Sequence, residues 1–357
     1  MSRLMALLLL PLSFSVAPLF AGEVFKCRDA MGRVAFQDSP CHVADHEEKL
    51  SLLPASAAIE NPVPAEALAE KSRKPLAQET PAKKIVGSHN FAWRLTKGKQ
   101  QGYLMGSIHF GKASMYPLSI VLLNAFKGSD ALVVEANVLD ADASMMTNTM
   151  MSTGLYSDGS MLKEVLSADL WDELSVTSAA LGMPVAVLGG MRPWFASMTL
   201  TAMALKEIGL DESLGIDRHF LQMAKKTNKP IRELESVQQQ LALLSDLSQE
   251  VQTAMLKQTL QDIENAEAYF DTMLNAWQAG DALALDQLVV DETMKNAEIS
   301  ELNRIMITDR NRSMAAGVDA MLRGGCNCFV VVGAGHFGGE QGMLELLQLK
   351  GYRVEQL

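Results

Sequence analysis

Short apolar runs alternate with longer segments of helical periodicity along most of the chain, from about residue 87 to the C-terminus. A short apolar run between turn residues is typical of a buried strand, whereas apolar positions with the period of a helix indicate an amphipathic helix. The predicted strands are 89–95, 101–107, 130–135, 184–188, 230–235, 328–332 and 352–354. Helices are predicted between them, above all over 140–226 and 236–323. Strands that alternate with helices in this way predict an α/β fold.

Proline and serine positions predict where several helices begin. Pro117 is a good first helical residue, and the helix that it opens is predicted to end at Lys127. Ser160 and Ser167 are candidate N-caps, since a serine hydroxyl accepts a hydrogen bond from the first turn of a helix. Pro193 is expected to open another helix.

The first 86 residues have a different pattern from the rest. A positive charge at Arg3, an apolar run and a small residue at Ala21 predict a secretory signal peptide over 1–21. Residues 22–50 alternate like two short strands around a turn and predict a small β-hairpin unit. Residues 51–86 hold five of the twelve prolines and predict a disordered linker. The main domain is therefore expected to span 87–357.

Charge and hydropathy narrow the classes of partner. Lys and Arg number 31 against 42 Asp and Glu, a formal net charge of −11. An acidic surface argues against nucleic acid, because phosphate binding requires a basic footprint. Once the signal is removed, no apolar run is long enough to span a membrane. We therefore expect a soluble, exported protein, either periplasmic or secreted.

Export changes the interpretation of the four cysteines. Cys27 and Cys41 bracket the small N-terminal unit, and a disulfide between them is expected in an oxidising compartment. Cys326 and Cys328 are too closely spaced for an ordinary zinc pair. We interpret the second pair as structural, and the sequence leaves open whether a disulfide joins them.

The hexapeptide Gly-x-x-His-Phe-Gly occurs twice, at 106–111 and at 333–338, and each copy follows a predicted strand. Glycine permits positive φ and close approach of the backbone. α/β proteins keep their chemistry outside the carboxyl ends of strands. One copy alone would suit a tight structural turn, but the shared pattern favours a function in which His109 and His336 face one site.

Two glutamates end predicted strands in the same way. Two imidazoles and a carboxylate are enough to bind a catalytic divalent metal with an open position for water. We therefore predict that His109, Glu135 and His336 bind Zn²⁺, Mn²⁺ or Co²⁺, among which the residue types do not choose. Glu235 is the candidate general base or a further ligand. Arg310, in a helical region, is a candidate for stabilising a developing oxyanion.

These residues belong to a set of motifs through which the main domain resembles the TraB/PrgY/GumN family, which includes the TIKI proteases. The motifs are Leu104 to His109, Val134-Glu135, Gly215-Ile216-Asp217, Leu234-Glu235-Ser236 with Gln239, Arg310-Asn311 with Met314, Val332 to Gly339 and Gly351 to Val354. The resemblance implies a mixed central sheet with flanking helices, similar to erythromycin-esterase and ChaN-like proteins. It also implies a metal-dependent peptidase with a peptide or protein substrate.

The resemblance maps the paired histidines of the family onto His109 and His336 and its motif acid onto Glu135. It adds Asn311 to the catalytic candidates, whose roles it leaves less settled. Residues 22–50 separately resemble the exported domain DUF4124, through an Asp-x-x-Gly-Arg turn and an Asp-Ser-Pro-Cys ending. We interpret this unit as an accessory or interaction module, and the sequence leaves open an envelope partner for it.

Two functions from different classes follow. The first is an exported metal-dependent hydrolase, a peptidase in which Glu235 takes a proton from the bound water and Arg310 steadies the tetrahedral intermediate. The alternative is a non-catalytic periplasmic binding protein that sequesters a peptide or haem in the same cleft.

Overall fold

The computed structural model describes residues 24–28, 34–37, 46–50, 90–293 and 296–357. The short N-terminal strands and the segment from residue 90 onwards belong to two different compact units, which are described separately. The predicted signal peptide, the Cys27–Cys41 disulfide and the linker over 51–86 lie outside the described residues. The proposed division of the chain into signal, module, linker and main domain therefore stays a prediction.

The described part of the N-terminal unit is a three-stranded antiparallel sheet in the order β2-β1-β3. Its strands are β1 (Val24–Arg28), β2 (Val34–Gln37) and β3 (His46–Leu50). Lys26 pairs with Phe36 on one side and with Glu48 on the other. The third strand was not predicted from the sequence.

The main unit is built on a six-stranded mixed sheet in the order β7-β6-β8-β5-β4-β9. Its strands are β4 (Ala92–Lys97), β5 (Gln100–Ser107), β6 (Ala131–Val134), β7 (Ile231–Glu233), β8 (Cys328–Gly333) and β9 (Arg353–Gln356). The four strands from β7 to β5 are parallel, and β4 and β9 add an antiparallel edge. The predicted α/β fold with a mixed central sheet is confirmed.

The central strands explain the continuous apolar runs in the sequence. Every residue of β6 and β8 is buried, as expected for parallel strands whose two faces are both covered. Phe329 of β8 packs against Phe126 and Phe220 on one face. On the opposite face Leu322 lies so near Gly102 that an added Cβ would be 2.6 Å from its Cδ2.

The helices cover both faces of this sheet. They are α1 (Ile120–Lys127), α2 (Ala143–Gly154), α3 (Leu162–Val165), α4 (Ala168–Ala180), α5 (Val185–Leu188), α6 (Pro193–Glu207), α7 (Ile216–Lys226), α8 (Val237–Ser245), α9 (Gln249–Ile263), α10 (Ala266–Ala279), α11 (Ala282–Thr293), α12 (Ala297–Asn303), α13 (Asp309–Arg323) and α14 (Met343–Leu349). A short π-helix, Arg304–Thr308, joins α12 to α13. Within the described ranges, none of the helices has the length and apolar character that a membrane crossing requires.

Two predicted helix starts are confirmed and two are wrong. Ser167 caps α4 through its side-chain oxygen, and Pro193 is the first residue of α6. Pro117 does not open α1, because that helix begins at Ile120 behind the Ser119 cap. Ser160 lies one residue too early, since Met161 holds the N-cap position of α3.

The apolar run at 184–188 predicted a strand, and this prediction is wrong. The segment forms the short helix α5, with Pro184 at its N-cap position. An apolar run this short has no periodicity that distinguishes a buried strand from one buried helical turn. Tertiary packing therefore decided its conformation.

At the start of β8, Cys326 and Cys328 form a disulfide. The sequence had left open whether these two cysteines are joined.

Candidate active site

The sheet register brings the two hexapeptides to one edge. Gly106 of β5 pairs with Val332 of β8, and Ser107 pairs with Gly333. Val134 of β6 pairs with Val331 in the same parallel ladder. The carboxyl ends of these three strands therefore meet, as the strand-end argument requires.

His109 follows β5 and is held by the start of helix α7. The ring is buried, with 3% of its surface exposed. The backbone N–H of Ile216 donates to the Ile108 carbonyl at 2.9 Å, which ties α7 to the first hexapeptide. Asp217 follows in the first turn of α7, and its Oδ1 lies 2.9 Å from His109 Nδ1. Because a carboxylate only accepts, Nδ1 carries the hydrogen and a neutral ring has its lone pair on Nε2.

His336 is oriented by a chain of hydrogen bonds that fixes its tautomer. Asn311 Nδ2 donates to the Gln341 carbonyl at 2.8 Å. The amide orientation is thereby set, and Asn311 Oδ1 lies 2.6 Å from His336 Nδ1. Nδ1 therefore carries the hydrogen and Nε2 the lone pair. Complete burial lowers the pKa of His336 well below its usual value, with further lowering by the charges of Arg310 and His109, so the ring is neutral.

Glu135 and Glu235 are brought side by side because the pairing of β6 with β7 continues past both strands. The backbone N–H of Glu235 donates to the Glu135 carbonyl at 2.8 Å. Glu135 Oε1 accepts from the Gly333 backbone at 2.5 Å and lies 3.9 Å from His336 Nε2. Glu135 has 3% of its side chain exposed and Glu235 has 11%. The two predicted carboxylates are therefore together, with Glu235 the more open.

Burial raises the pKa of Glu135, although the charges of Arg310 and His109 and the hydrogen bond from Gly333 lower it. A raised pKa means that the surroundings do not fully compensate a negative charge at this position. Charge on His109 also acts on both groups, and it lowers the pKa of Glu135 and of His336.

Arg310 lies at the centre of this network and is almost completely buried. Its Nε and Nη2 donate to Glu235 at 3.0 and 2.8 Å, and Nη2 also donates to Glu135 at 2.6 Å. Nη1 donates to the carbonyl of Met306 at 3.0 Å, inside the π-helix, and to His336 Nε2 at 3.3 Å. A guanidinium has five N–H groups, and these contacts use all of them. An oxyanion can reach Arg310 only if a present partner is released.

Gln240 of helix α8 is a member of the site that no sequence pattern indicated. Its side chain is fully buried, and Nε2 donates to Glu135 at 3.3 Å and to Glu235 at 3.1 Å. The neighbouring Gln239, which belongs to the family motif, instead accepts from the backbone of Ser236 and completes the capping box of α8. Asp217 is likewise part of a motif, but its contact with His109 required the fold.

The predicted ligands fit a divalent metal in their chemistry. The neutral tautomers present Nε2 lone pairs, and the partners on Nδ1 are of the kind that orient metal-binding histidines. Within the ranges that the structure describes, however, no group of three or more His, Cys, Asp or Glu side chains is arranged to hold an ion. In this arrangement the Arg310 guanidinium donates to both Glu135 and His336 and supplies the positive charge. The three-ligand set stays a prediction.

Comparisons with known proteins identify relatives of this chain but assign no activity to it. The model of the TraB/PrgY/gumN family matches residues 91–356, and the model of the domain of unknown function DUF4124 matches residues 5–67. Proteins named "Uncharacterized protein YbaP", from Shigella flexneri and from Escherichia coli strain K12, are each 29% identical over 251 residues. The match covers 70% of this chain and 89% of each relative. No solved structure matches the chain significantly.

Proposed function

The chain belongs to the TraB/PrgY/gumN family, and from this premise we propose that it is an exported, metal-dependent hydrolase that cleaves peptide bonds in a periplasm or outside the cell. One observation carries the proposal. Two strand-end imidazoles, His109 and His336, are each anchored through Nδ1, and His336 Nε2 lies 3.9 Å from the buried carboxylate of Glu135. Metal-binding histidines are commonly anchored in this way, with the second ring nitrogen as the ligand.

In this proposal His109, Glu135 and His336 hold a Zn²⁺, Mn²⁺ or Co²⁺ ion. A bound ion of this kind lowers the pKa of its water to about 7 and so supplies a nucleophile. Asp217 and Asn311 act as positioning residues, because each holds the Nδ1 atom of one histidine.

The charge balance supports uptake of a cation. Glu135 and Glu235 share one guanidinium, and Asp217 adds a further carboxylate beside His109. Buried negative charge without an equal positive charge is costly. Burial is the main cause that raises the pKa of Glu135, and a divalent ion would oppose this shift by stabilising the carboxylate.

Glu235 is the best placed general base, since it is the more exposed carboxylate of the pair. Its Oε2 also accepts from Gln240, which fixes the carboxylate relative to Glu135. The role predicted for Arg310 as an oxyanion donor requires it to release one partner. Asn311 contacts His336 and supports the site through that ring.

Elemental analysis and peptidase assays on purified protein test the proposal. Wild type should contain about one equivalent of metal, and His109→Ala and His336→Ala should lose both the metal and the activity, by about 100-fold or more, since a ligand is removed. His219→Ala is the matched control. That ring lies in α7 like Asp217 but packs against Tyr116 in a tilted geometry, with the ring centroids 5.1 Å apart. Activity that survives both ligand changes would end the proposal.

The alternative is a non-catalytic binding protein that sequesters a peptide or haem. The complete use of the Arg310 donors favours it, because a closed network of this kind has no donor ready for an oxyanion. Stoichiometric capture of a peptide or haem, with no product at any metal concentration, would select this function over hydrolysis.

A further inference from the structure

The contacts of Arg310 fall into two sets with different consequences. On one side Nε and Nη2 form a fork on the Glu235 carboxylate at 3.0 and 2.8 Å. On the other side Nη1 and Nη2 each donate one hydrogen bond to a predicted metal ligand. Nη1 donates to His336 at 3.3 Å, and Nη2 donates to Glu135 at 2.6 Å. The fork is the stronger attachment, since parallel charge-assisted bonds combine energy with fixed geometry.

The second set of contacts uses atoms that a metal ion would need. The tautomer fixed by Asn311 gives His336 a single lone pair on Nε2, and Arg310 donates to it. One lone pair cannot bind an N–H group and a metal at the same time. A guanidinium beside Glu135 would also repel an ion held by the same carboxylate.

We propose that Arg310 is a displaceable internal cation, which holds Glu135 and His336 while no metal is bound and withdraws onto Glu235 when an ion enters. The proposal rests on the proposed function, since it requires that these residues take up a metal. The fork on Glu235 keeps the buried guanidinium paired with a carboxylate both with and without the metal.

The withdrawal leaves no buried charge without a partner. A buried charge that loses its only partner is strongly destabilising. Arg310 keeps the two bonds of its fork and the Met306 carbonyl when its contacts with Glu135 and His336 are lost. Glu135 and His336 in turn exchange an N–H donor for the ion. Each buried charge therefore keeps a partner in both states, whereas the two Arg310 N–H groups that lose their acceptors oppose metal uptake. The internal cation in this way sets the metal affinity of the site.

Metal affinity of the Arg310→Gln variant tests this directly, because glutamine removes the competing charge and cannot span the same partners. Coupling energies of buried charge pairs correspond to about tenfold or more in a binding constant. We expect Arg310→Gln to bind Zn²⁺ or Mn²⁺ at least about tenfold more tightly than wild type, measured by competition with a fluorescent chelator. Arg323→Gln is the matched control, since this exposed arginine lies on the same helix and pairs with Asp319. It should bind metal like wild type.

Thermal unfolding gives a second readout that is independent of activity. Without metal, Arg310→Gln should melt below wild type, because Glu135 and Glu235 are left buried without their cation. Saturating metal should raise its Tm by more than it raises that of wild type. Arg310→Lys keeps one charge but cannot form the fork, so its affinity should lie between those of the other two proteins.

The outcomes separate the two proposals. Wild type that binds metal, beside an Arg310→Gln variant whose affinity is equal or weaker, would overturn the displaceable cation and leave the proposed function in place. Absence of metal binding in wild type and in both variants would overturn both. If Arg310→Gln and Arg310→Lys stay unfolded even with metal, Arg310 is structural and the proposal is overturned.

Discussion

The two histidines of the repeated hexapeptide occupy the same position in their motifs, but different hydrogen-bond partners orient their rings. His109 donates from Nδ1 to a carboxylate, that of Asp217, whereas His336 donates to the neutral amide of Asn311. A carboxylate partner increases the basicity of an imidazole, whereas an amide only orients it. Complete burial then keeps His336 neutral. At the scale of residues, the two rings therefore differ in the group that orients each of them, and burial keeps His336 neutral.

Changes at Asn311 should show that it acts through His336. Asn311→Ala removes the acceptor on Nδ1, so the ring loses its orientation and metal affinity should fall by about 10 to 100-fold, as for other partners of metal ligands. Asn311→Asp keeps an acceptor for Nδ1 and should retain more affinity than the alanine variant. Chelator competition measures both constants. Equal affinities in wild type and Asn311→Ala would contradict this role.

At the scale of elements, the site depends on close backbone contact between the first hexapeptide and helix α7. Gly215 lies immediately before that helix, and a Cβ added there would lie 2.2 Å from the His109 carbonyl oxygen. The same carbonyl region is joined to α7 through the bond from Ile216 to Ile108. The strand end is fixed from a third direction by Trp277, whose Nε1 donates to the Gly106 carbonyl at 2.8 Å.

Gly215→Ala should therefore separate α7 from the strand end. The contact is with backbone, which cannot rotate away, so the variant should lose about 1–3 kcal/mol of unfolding free energy and weaken the hold of Asp217 on His109. Gly190→Ala is the matched control, because an added Cβ there meets nothing within 4 Å. It should stay within about 0.5 kcal/mol of wild type. Urea denaturation measures both, and an equal loss in the two variants would contradict the argument.

At the scale of the whole molecule, the site is assembled by long-range topology. His109, Glu135, Glu235 and His336 each follow a different strand of the parallel part of the sheet. Arg310 comes from helix α13, and Gln240 from helix α8. All of these residues belong to the main unit, and the N-terminal strands belong to the other.

Deletion of residues 22–86 should separate hydrolysis from placement in the envelope. The main unit contains every residue of the proposed site, so kcat/KM on a peptide substrate should stay within about twofold, as expected for a remote change. If the DUF4124-like module binds an envelope partner, fractionation should show the shortened protein redistributed relative to the full chain. Loss of hydrolysis in a folded deletion variant would contradict the independence of the main unit.

The sequence alone determined the features that depend on short-range pattern. Continuous apolar runs indicated the central strands, because a strand covered on both faces has no polar alternation to show. The repeated hexapeptide indicated both histidines, and the strand ends indicated Glu135 and Glu235. The same reasoning was wrong at 184–188, where an apolar run formed helix α5, because local composition does not distinguish the two conformations when packing decides.

Only the tertiary structure decided which side chains meet and how each is held. Gln240 carries no local signal, since its task is to contact two carboxylates that arrive from other strands. The sequence also did not show that every Arg310 N–H group has an acceptor. That finding requires distances between residues up to 175 positions apart in the chain. Burial, which sets the charge of His336, is likewise a property of the assembled core. The sequence specified the chemical groups, and the fold specified their partners and their protonation.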